Sequence, residues 1–438
     1  MSQSELESPC RAFVERVGDA TLPGEAVQAY SSCVDARSYE LAAHPVRAYR
    51  QTSPLQGLVE FHKDGRNSYA SCLANDVDSV RAALTVSRVE IDHAPEGPSR
   101  DPRTLERGCT EFGLAEGREL RPLIAFMQEA IRDALARWLP ERYEVRSIRL
   151  TRRRVHAAQG GGRSSLVTSN HLGFELSVAV AINGVPVLVT RYASDVHGID
   201  LDELAKELRV RLLSVAQDAH CEIPSGYSIL LPTAAAQLLQ GLVSAISSDP
   251  LEGAGEWVTS LVDFGADPRS YSGRYFDHEG TVTSPFKLLD EEGRQSTMRS
   301  LRSRVGPSDH DGDGPLTGHA AWAGWQNFPQ ASPNSVAFSP TFHPGDVYDE
   351  VAESQQVITD IRPLGVSQLS GGDAVSFRAA RCRRRGGSHE ALAPLILVGR
   401  IREFMKSIEA VSDVISFMPG DIPVGASAVV MDAAYLSA

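Results

Sequence analysis

Twelve histidines and six cysteines are the side chains of this 438-residue sequence best suited to holding a transition metal. Metal sites need such ligands at short, fixed spacings, so that one turn or one helix face aims them at the same ion. Cys10, Cys33, Cys72, Cys109, Cys221 and Cys382 form no C-x-x-C and pair with no histidine at zinc-site spacing. No H-E-x-x-H occurs, and His278, His319, His343 and His389 each stand alone in turn-like surroundings. Thiols scattered in this way read as reduced cysteines of a cytoplasmic protein.

Two other constellations invite chemistry and stop short of it. Asp309, Asp311, Asp313 and Gly314 fall at the first, third, fifth and sixth places of a calcium loop. The twelfth place, where a bidentate glutamate is needed, is Ala320, so an acidic surface loop is expected there. Gly160-Gly161-Gly162-Arg163 has the glycines of a phosphate cradle but neither the P-loop lysine nor the dinucleotide spacing, and reads as a connection between strands. No G-x-S-x-G is present, which disfavours an α/β-hydrolase nucleophile elbow.

The composition narrows the classes further. A formal charge of −13 opposes the approach of a nucleic-acid backbone, and the basic runs Arg149 to Arg154 and Arg381 to Arg385 read as solvated strand faces. No apolar run approaches the roughly 18 residues of a membrane helix, and Met1 to Glu7 is polar and acidic. No nucleic acid, no membrane and a cytoplasmic location are therefore expected.

The elements that would position any site follow from periodicity. A helix is expected over Cys10 to Gly18, and short strands over Ala36 to Thr52. A hairpin turning at Lys63-Asp64-Gly65-Arg66 precedes a helix over Val77 to Ser87 capped by Asn75-Asp76. Leu123, Ile124, Phe126, Met127, Ile131, Leu135 and Leu139 recur at three- and four-residue spacing, read as one face of an amphipathic helix from Glu119 to Trp138. Strands over Val145 to His156, Ser164 to Thr168, Gly173 to Ile182 and Val185 to Tyr192 follow, the last two joined at Asn183-Gly184. A helix from Leu201 to Ala219 opens on acidic residues that suit a helix N-terminus. Beyond an apolar helix at Ala234 to Ile246 the texture becomes glycine-punctuated and β-rich until a helix over Arg400 to Ala410. Two regions are expected: 1–222, with a first module about 1–93 and a central helix and sheet module about 104–222, and 223–438.

Several segments in order resemble the TldD/PmbA family, in which a metallopeptidase subunit works with a related subunit lacking metal ligands. The residues carrying the resemblance are VEFHKDGRNSYASCLAN at Val59 to Asn75, Asn170 to Gly173, and Phe276-Asp277-His278-Glu279-Gly280-Thr281. Thr317-Gly318-His319-Ala320 with Ser332-Pro333-Asn334-Ser335 follows, then Leu369 to Gly372, Val398 to Arg400 and Asp421 to Val430. The resemblance implies an α+β fold, with an N-terminal α/β region of long helices on a mostly antiparallel sheet and a β-rich, barrel-like C-terminal region.

The departure from the family pattern carries the functional expectation. Where its catalytic subunits bear H-E-x-x-x-H at the start of a helix, this chain has Pro232, Thr233 and Gln237. None supplies an imidazole ligand or a carboxylate able to take a proton from water. The resemblance therefore implies a TldE/PmbA-like subunit with no catalytic residue, metal or cofactor of its own. Its expected partner is a metal-bearing TldD-like homologue carrying zinc, in a heterodimer that hydrolyses a peptide or peptide-like substrate, as in natural-product maturation. Pro232, Thr233, Gln237, Thr317, Gly318, His319, Ser332 and Asn334 are the expected cavity-lining or substrate-binding residues. A homodimeric scaffold, and a repurposed metal-independent enzyme using Asp277, Glu279 or Cys382, are the alternatives.

Overall fold

A computed structural model describes residues 3–42, 46–53, 55–64, 66–94, 109–112, 120–139, 143–161, 166–215, 226–248, 256–267, 269–270, 273–299, 304–305, 316–322, 329–341, 356–367, 374–386, 388–418 and 424–432. The acidic loop at Asp309 to Gly314, His343, Cys221 and the segments Leu369 to Gly372 and Asp421 to Pro423 lie outside the described residues.

The amino-terminal half is one large sheet with helices on a single face. In chain order it comprises α1 (Gln3–Ala20), β1 (Ala26–Glu40), β2 (Arg47–Thr52), β3 (Gln56–Lys63), β4 (Arg66–Leu73) and α2 (Val77–Glu90). There follow β5 (Cys109–Phe112), α3 (Leu120–Trp138), β6 (Glu144–Gly160), β7 (Val167–Ile182), β8 (Val185–Ala193) and α4 (Leu201–Val215). Eight strands join in the order β4-β3-β1-β6-β7-β5, with β2 on β1 and β8 on β7. All pairs are antiparallel except β5 with β7. Side chains alternate across a strand, so Ile148, Leu150 and Ala158 of β6 all point to one face. There Ile148 and Leu150 pack under α3 and α4, and Ala158 packs under α1 and α2.

Local chemistry sets the connections. Asp76 caps α2 by accepting from the Asp78 and Ser79 amides at 3.3 and 3.1 Å. Asn183 and Gly184 both have positive φ, 50° and 81°, as the two central residues of a type I′ hairpin require. The expected strands at Ser164 to Thr168 and Gly173 to Ile182 are a single strand, β7, because its 15 partners on β6 run unbroken through Gly173. Gly173 leaves room for the Tyr192 ring of β8 to lie across the sheet, where a Cβ would collide with it.

The carboxy-terminal half is β-rich, as expected, and among the described residues its sheets form no closed barrel. It contains β9 (Tyr227–Leu230), α5 (Pro232–Ser248), β10 (Leu261–Asp263), β11 (Phe286–Leu289), β12 (Met298–Arg299), β13 (Arg304–Val305), β14 (Ala320–Ala321), β15 (Gln330–Ala331) and β16 (Val336–Phe338). Next come β17 (Gln356–Ser367), β18 (Ala374–Arg385), β19 (Ser388–Arg400), α6 (Ile401–Ser407), β20 (Ile408–Val411), β21 (Ser416–Met418), β22 (Val424–Ala426) and β23 (Val429–Asp432). A five-stranded sheet runs β11-β10-β16-β22-β21 and a six-stranded one β19-β18-β17-β9-β23-β20, while β12 with β13 and β14 with β15 form two-stranded sheets. Both larger sheets cover α5. Its Ala235, Leu238, Leu239 and Leu242 are fully buried in a core that takes Leu261 and Val336 from one sheet and Ile358 and Phe377 from the other. A helix apolar on most of its circumference demands cover on several sides, and two separate sheets supply it. The helix expected over Arg400 to Ala410 is only α6; the chain then turns into β20, whose Val411 is buried on β23.

The two halves meet on the helix-free face of the large sheet. Phe276 packs there with Tyr30, Leu58 and Val167. Beside it the Tyr69 hydroxyl lies 3.0 Å from Glu60 Oε1 and 3.4 Å from Glu279 Oε1, linking the first hairpin to the turn after Phe276.

Candidate functional site

A cavity of about 750 Å³ opens where the helix-free sheet face, α4, the first turns of α5, and β17 and β18 converge. The sheet contributes Glu175 and Ala179 of β7 and Pro186, Leu188 and Thr190 of β8; α5 contributes Thr233, Ala236, Gln237 and Gln240. Asp360 and Arg362 come from β17 and Arg378 from β18. Its size and its mixed apolar and polar wall suit a small ligand or a few residues of a peptide.

The geometry around Gln237 follows from where β9 ends. The three residue pairs that join β9 to β17 end at Leu230 and Ile358, so the Ile361 amide lies beyond the reach of β9. Gln237 Oε1 takes that amide at 2.7 Å, while its Nε2 donates to Asp360 Oδ1 at 2.9 Å. One carboxamide thus ties α5 to β17 and uses both of its polar atoms. Asp360 also accepts from Arg211 Nη2 at 3.1 Å and Arg362 Nε at 3.0 Å, which joins α4 to the same knot. Behind it, Glu207 of α4 is fully buried and paired to Arg191. Burial disfavours its charge, but Arg191, Arg211 and the Thr233 hydroxyl outweigh that and hold it below the usual carboxylate range.

Of the residues singled out in the sequence, Thr233 and Gln237 line the cavity. Pro232 opens α5 beside them, at a position where its missing N–H would have no helical partner. The donor set does not fit a zinc site: proline offers no ligand, the threonine is a neutral hydroxyl beside Glu207, and both polar atoms of the glutamine are engaged.

Thr317, Gly318, His319, Ser332 and Asn334 are brought together elsewhere, in a hydrogen-bonded cluster around two buried carboxylates. Asp263 accepts from the backbone amides of Gly265 at 2.9 Å, Asn334 at 2.6 Å and Ser335 at 3.0 Å. His319 is fully buried, its Nδ1 2.7 Å from the Thr317 carbonyl and its Nε2 3.6 Å from Asp263 Oδ2. Burial opposes the ionisation of Asp263, but His319 and the Asn334 and Gly265 amides prevail and depress its pKa. Asp277 accepts from Glu279, Thr281 and Ala320 at 2.9 Å each. Here burial is the larger effect and raises the carboxyl. Gly318 has φ +77° and faces the Val282 carbonyl, leaving no room for a side chain. Ser332 donates its amide to the His319 carbonyl at 3.0 Å, and the Asn334 carboxamide donates to the Gly265 carbonyl at 3.1 Å. These residues fix turns by satisfying backbone groups.

Among the three residues of the metal-independent alternative, Asp277, Glu279 and Cys382 are all buried, and burial pushes the Cys382 thiol up to about 12. A thiol so protonated is a poor nucleophile. Sequence reasoning passed over Glu175, Asp360, Arg362 and Arg378 because strand-borne charges alternate on any solvated sheet and carry no motif, and Arg211 because a lone arginine on the helix α4 reads as a solvated face.

No family model matches the sequence, and no curated protein matches it. Solved structures do resemble it. A proposed modulator of a DNA gyrase from Thermotoga maritima matches with a TM-score of 0.67 at 17% identity, over 96% of this chain and 98% of that one. TldE from Thermococcus kodakarensis matches at 0.65 and 15%, over 96% and 98%. A second proposed gyrase modulator, from Bacteroides thetaiotaomicron, matches at 0.64 and 12%, over 99% and 98%. At these identities the likeness speaks for the fold, and over nearly its whole length this chain has the fold of the TldD/PmbA family.

Proposed function

We propose that this chain is a non-catalytic, TldE/PmbA-like subunit that shapes the substrate cavity of a heteromeric metallopeptidase-type hydrolase acting on a peptide or peptide-like substrate. The observation that supports this reading most directly is the wall formed by the first turns of α5. Thr233 and Gln237 face the cavity from there, and the Gln237 carboxamide is spent on binding α5 to β17. A position engaged in holding the fold is poorly placed to be a ligand or a base. The zinc and the general base would belong to a TldD-like partner, and this chain would position substrate, an effect that by itself accounts for large rate factors. Maturation of peptide natural products is one setting that supplies such substrates.

Co-expression with a homologue bearing H-E-x-x-x-H tests the reading. The expected result is a stable heteromer on size exclusion, zinc in proportion to the partner alone, and turnover that needs both chains. Replacing the partner's general-base glutamate should abolish turnover, whereas Cys382→Ala in this chain should leave it within about threefold, since removing one buried sulfur alters packing and not chemistry. One tightly held zinc per isolated chain, or loss of turnover with Cys382→Ala in an assembled complex, would overturn it.

A further inference from the structure

The cavity lining carries a charge pattern that its role in holding the fold does not explain. Arg362 of β17 and Arg378 of β18 are direct cross-strand partners and both face the cavity. Like charges placed opposite each other on adjacent strands repel, so such a pair needs a counterion. Asp360, a carboxylate of the same lining, is committed already, its Oδ1 to Arg211 and Gln237 and its Oδ2 to Arg362. Arg378 makes no hydrogen bond or ion pair among the described residues and is exposed. Glu175, across the cavity, is raised by burial and is faced by Arg153 and Arg149 of its own sheet, so it competes weakly for Arg378. The lining therefore holds three guanidinium groups against two carboxylates in a chain whose net charge is −13. A local positive site on an acidic protein attracts anions against the field of the whole.

We propose that Arg362 and Arg378 form a carboxylate-binding subsite of this cavity, taking the carboxylate of a short peptide whose apolar part lies against Pro186, Leu188 and Met418. Guanidinium groups present a planar fork that matches a carboxylate bidentately, and Arg378 has its whole fork available. Pro186, Leu188 and Met418 line the same space and give the rest of the ligand an apolar wall. The carboxylate comes either from a peptide C-terminus or from an acidic side chain, which the subsite chemistry treats alike. This assignment deepens the proposed role as a cavity-shaping subunit and rests on it for the word substrate.

Isothermal titration of the full chain with three N-acetylated tripeptides tests it: Ala-Leu-Ala as the free acid, the same peptide as its C-terminal amide, and Ala-Glu-Ala as the amide. The free acid should bind at least about tenfold more tightly than its amide, the loss expected when one charge-assisted bidentate contact is removed. Arg378→Ala should erase that preference and Arg378→Lys should keep part of it, because lysine retains the charge without the fork. If the Ala-Glu-Ala amide binds like the free acid, the subsite accepts side-chain carboxylates; if it binds like the Ala-Leu-Ala amide, the subsite reads C-termini. Equal binding of free acid and amide, no binding of the free acid, or an Arg378→Ala chain that binds the free acid as wild type does would each overturn the assignment. Arg362→Gln provides a second variant at an exposed position. Preference for the free acid in a chain that forms no heteromer would support the subsite while removing the subunit reading. Loss of the preference in a chain that still supports turnover would do the reverse.

Discussion

The cluster around Asp263 and Asp277 and the cavity beside α5 both gather charged side chains, and they use them in opposite ways. At Asp263 and Asp277 every carboxylate oxygen is turned inward onto backbone amides, and in the neighbouring turn Gly318 lies against the Val282 backbone and His319 is fully buried. At the cavity the carboxylate of Asp360 holds three elements together, while Arg378 faces open space. The residues that look most motif-like in the sequence are therefore the ones with least access to a ligand. A string such as Thr317-Gly318-His319-Ala320 is recognisable because a buried turn tolerates few alternatives, whereas a binding surface of strand-borne arginines is free of that constraint.

Substitution at Asp263 tests this contrast most severely. Asp263→Ala would strand three buried amides and His319, and a cost of about 3 to 5 kcal/mol, or failure to fold, is expected. Urea unfolding measures it; a loss below about 1 kcal/mol would erase the distinction between the two regions. The pH dependence adds a signature. Because the folded carboxyl is depressed, the unfolded chain binds that proton more readily, and stability rises with pH across the interval between the two values. The contribution is complete above the ordinary aspartate value of about 4 and is lost as pH falls through the depressed folded value. Asp263→Asn, if it folds, should flatten this acid limb of the urea midpoint relative to wild type. Identical limbs would show that Asp263 is not its source.

A smaller effect is expected at the wall the two regions do not share. Gln237→Ala leaves the buried Ile361 amide and one lone pair of Asp360 unanswered, and should cost about 1 to 3 kcal/mol. Its hydrogen exchange should report faster opening at Ile361 than at Ile358, whose strand neighbour on β9 is intact. Equal acceleration at both sites would mean that the carboxamide does not act locally. Arg378→Ala closes the series. With no partner among the described residues it should change stability by less than about 0.5 kcal/mol, and relief of its repulsion with Arg362 favours a slight gain. A loss as large as that of Gln237→Ala would place Arg378 with the residues that hold the fold.

Periodicity and turn chemistry alone located much of the amino-terminal half. The amphipathic spacing of Leu123, Met127, Ile131 and Leu135 set α3, Asn183-Gly184 set the β7 to β8 hairpin, and Asp76 set the start of α2. These are local signals, decided within one or two turns of chain. The same locality explains the failures. β1 begins ten residues before the strand expected at Ala36, because its first half is specified by β3 and β6, distant in sequence. The β-rich texture beyond α5 was legible, but the individual strands β10, β12 and β16 were not, since strands of two or three residues carry too few side chains to show a period.

For the site, the sequence by itself determined which side chains stand at the start of α5: the chemistry of Pro232, Thr233 and Gln237 is fixed by their type, whatever surrounds them. Only the tertiary structure decided which residues share a cavity. Glu175, Arg211, Gln237, Asp360 and Arg378 come from β7, α4, α5, β17 and β18, and they meet only because the helix-free sheet face closes against the carboxy-terminal half. A residue's type sets what it is able to do, but its burial, its partners and the direction in which it points are properties of long-range packing, and no local stretch of sequence contains them.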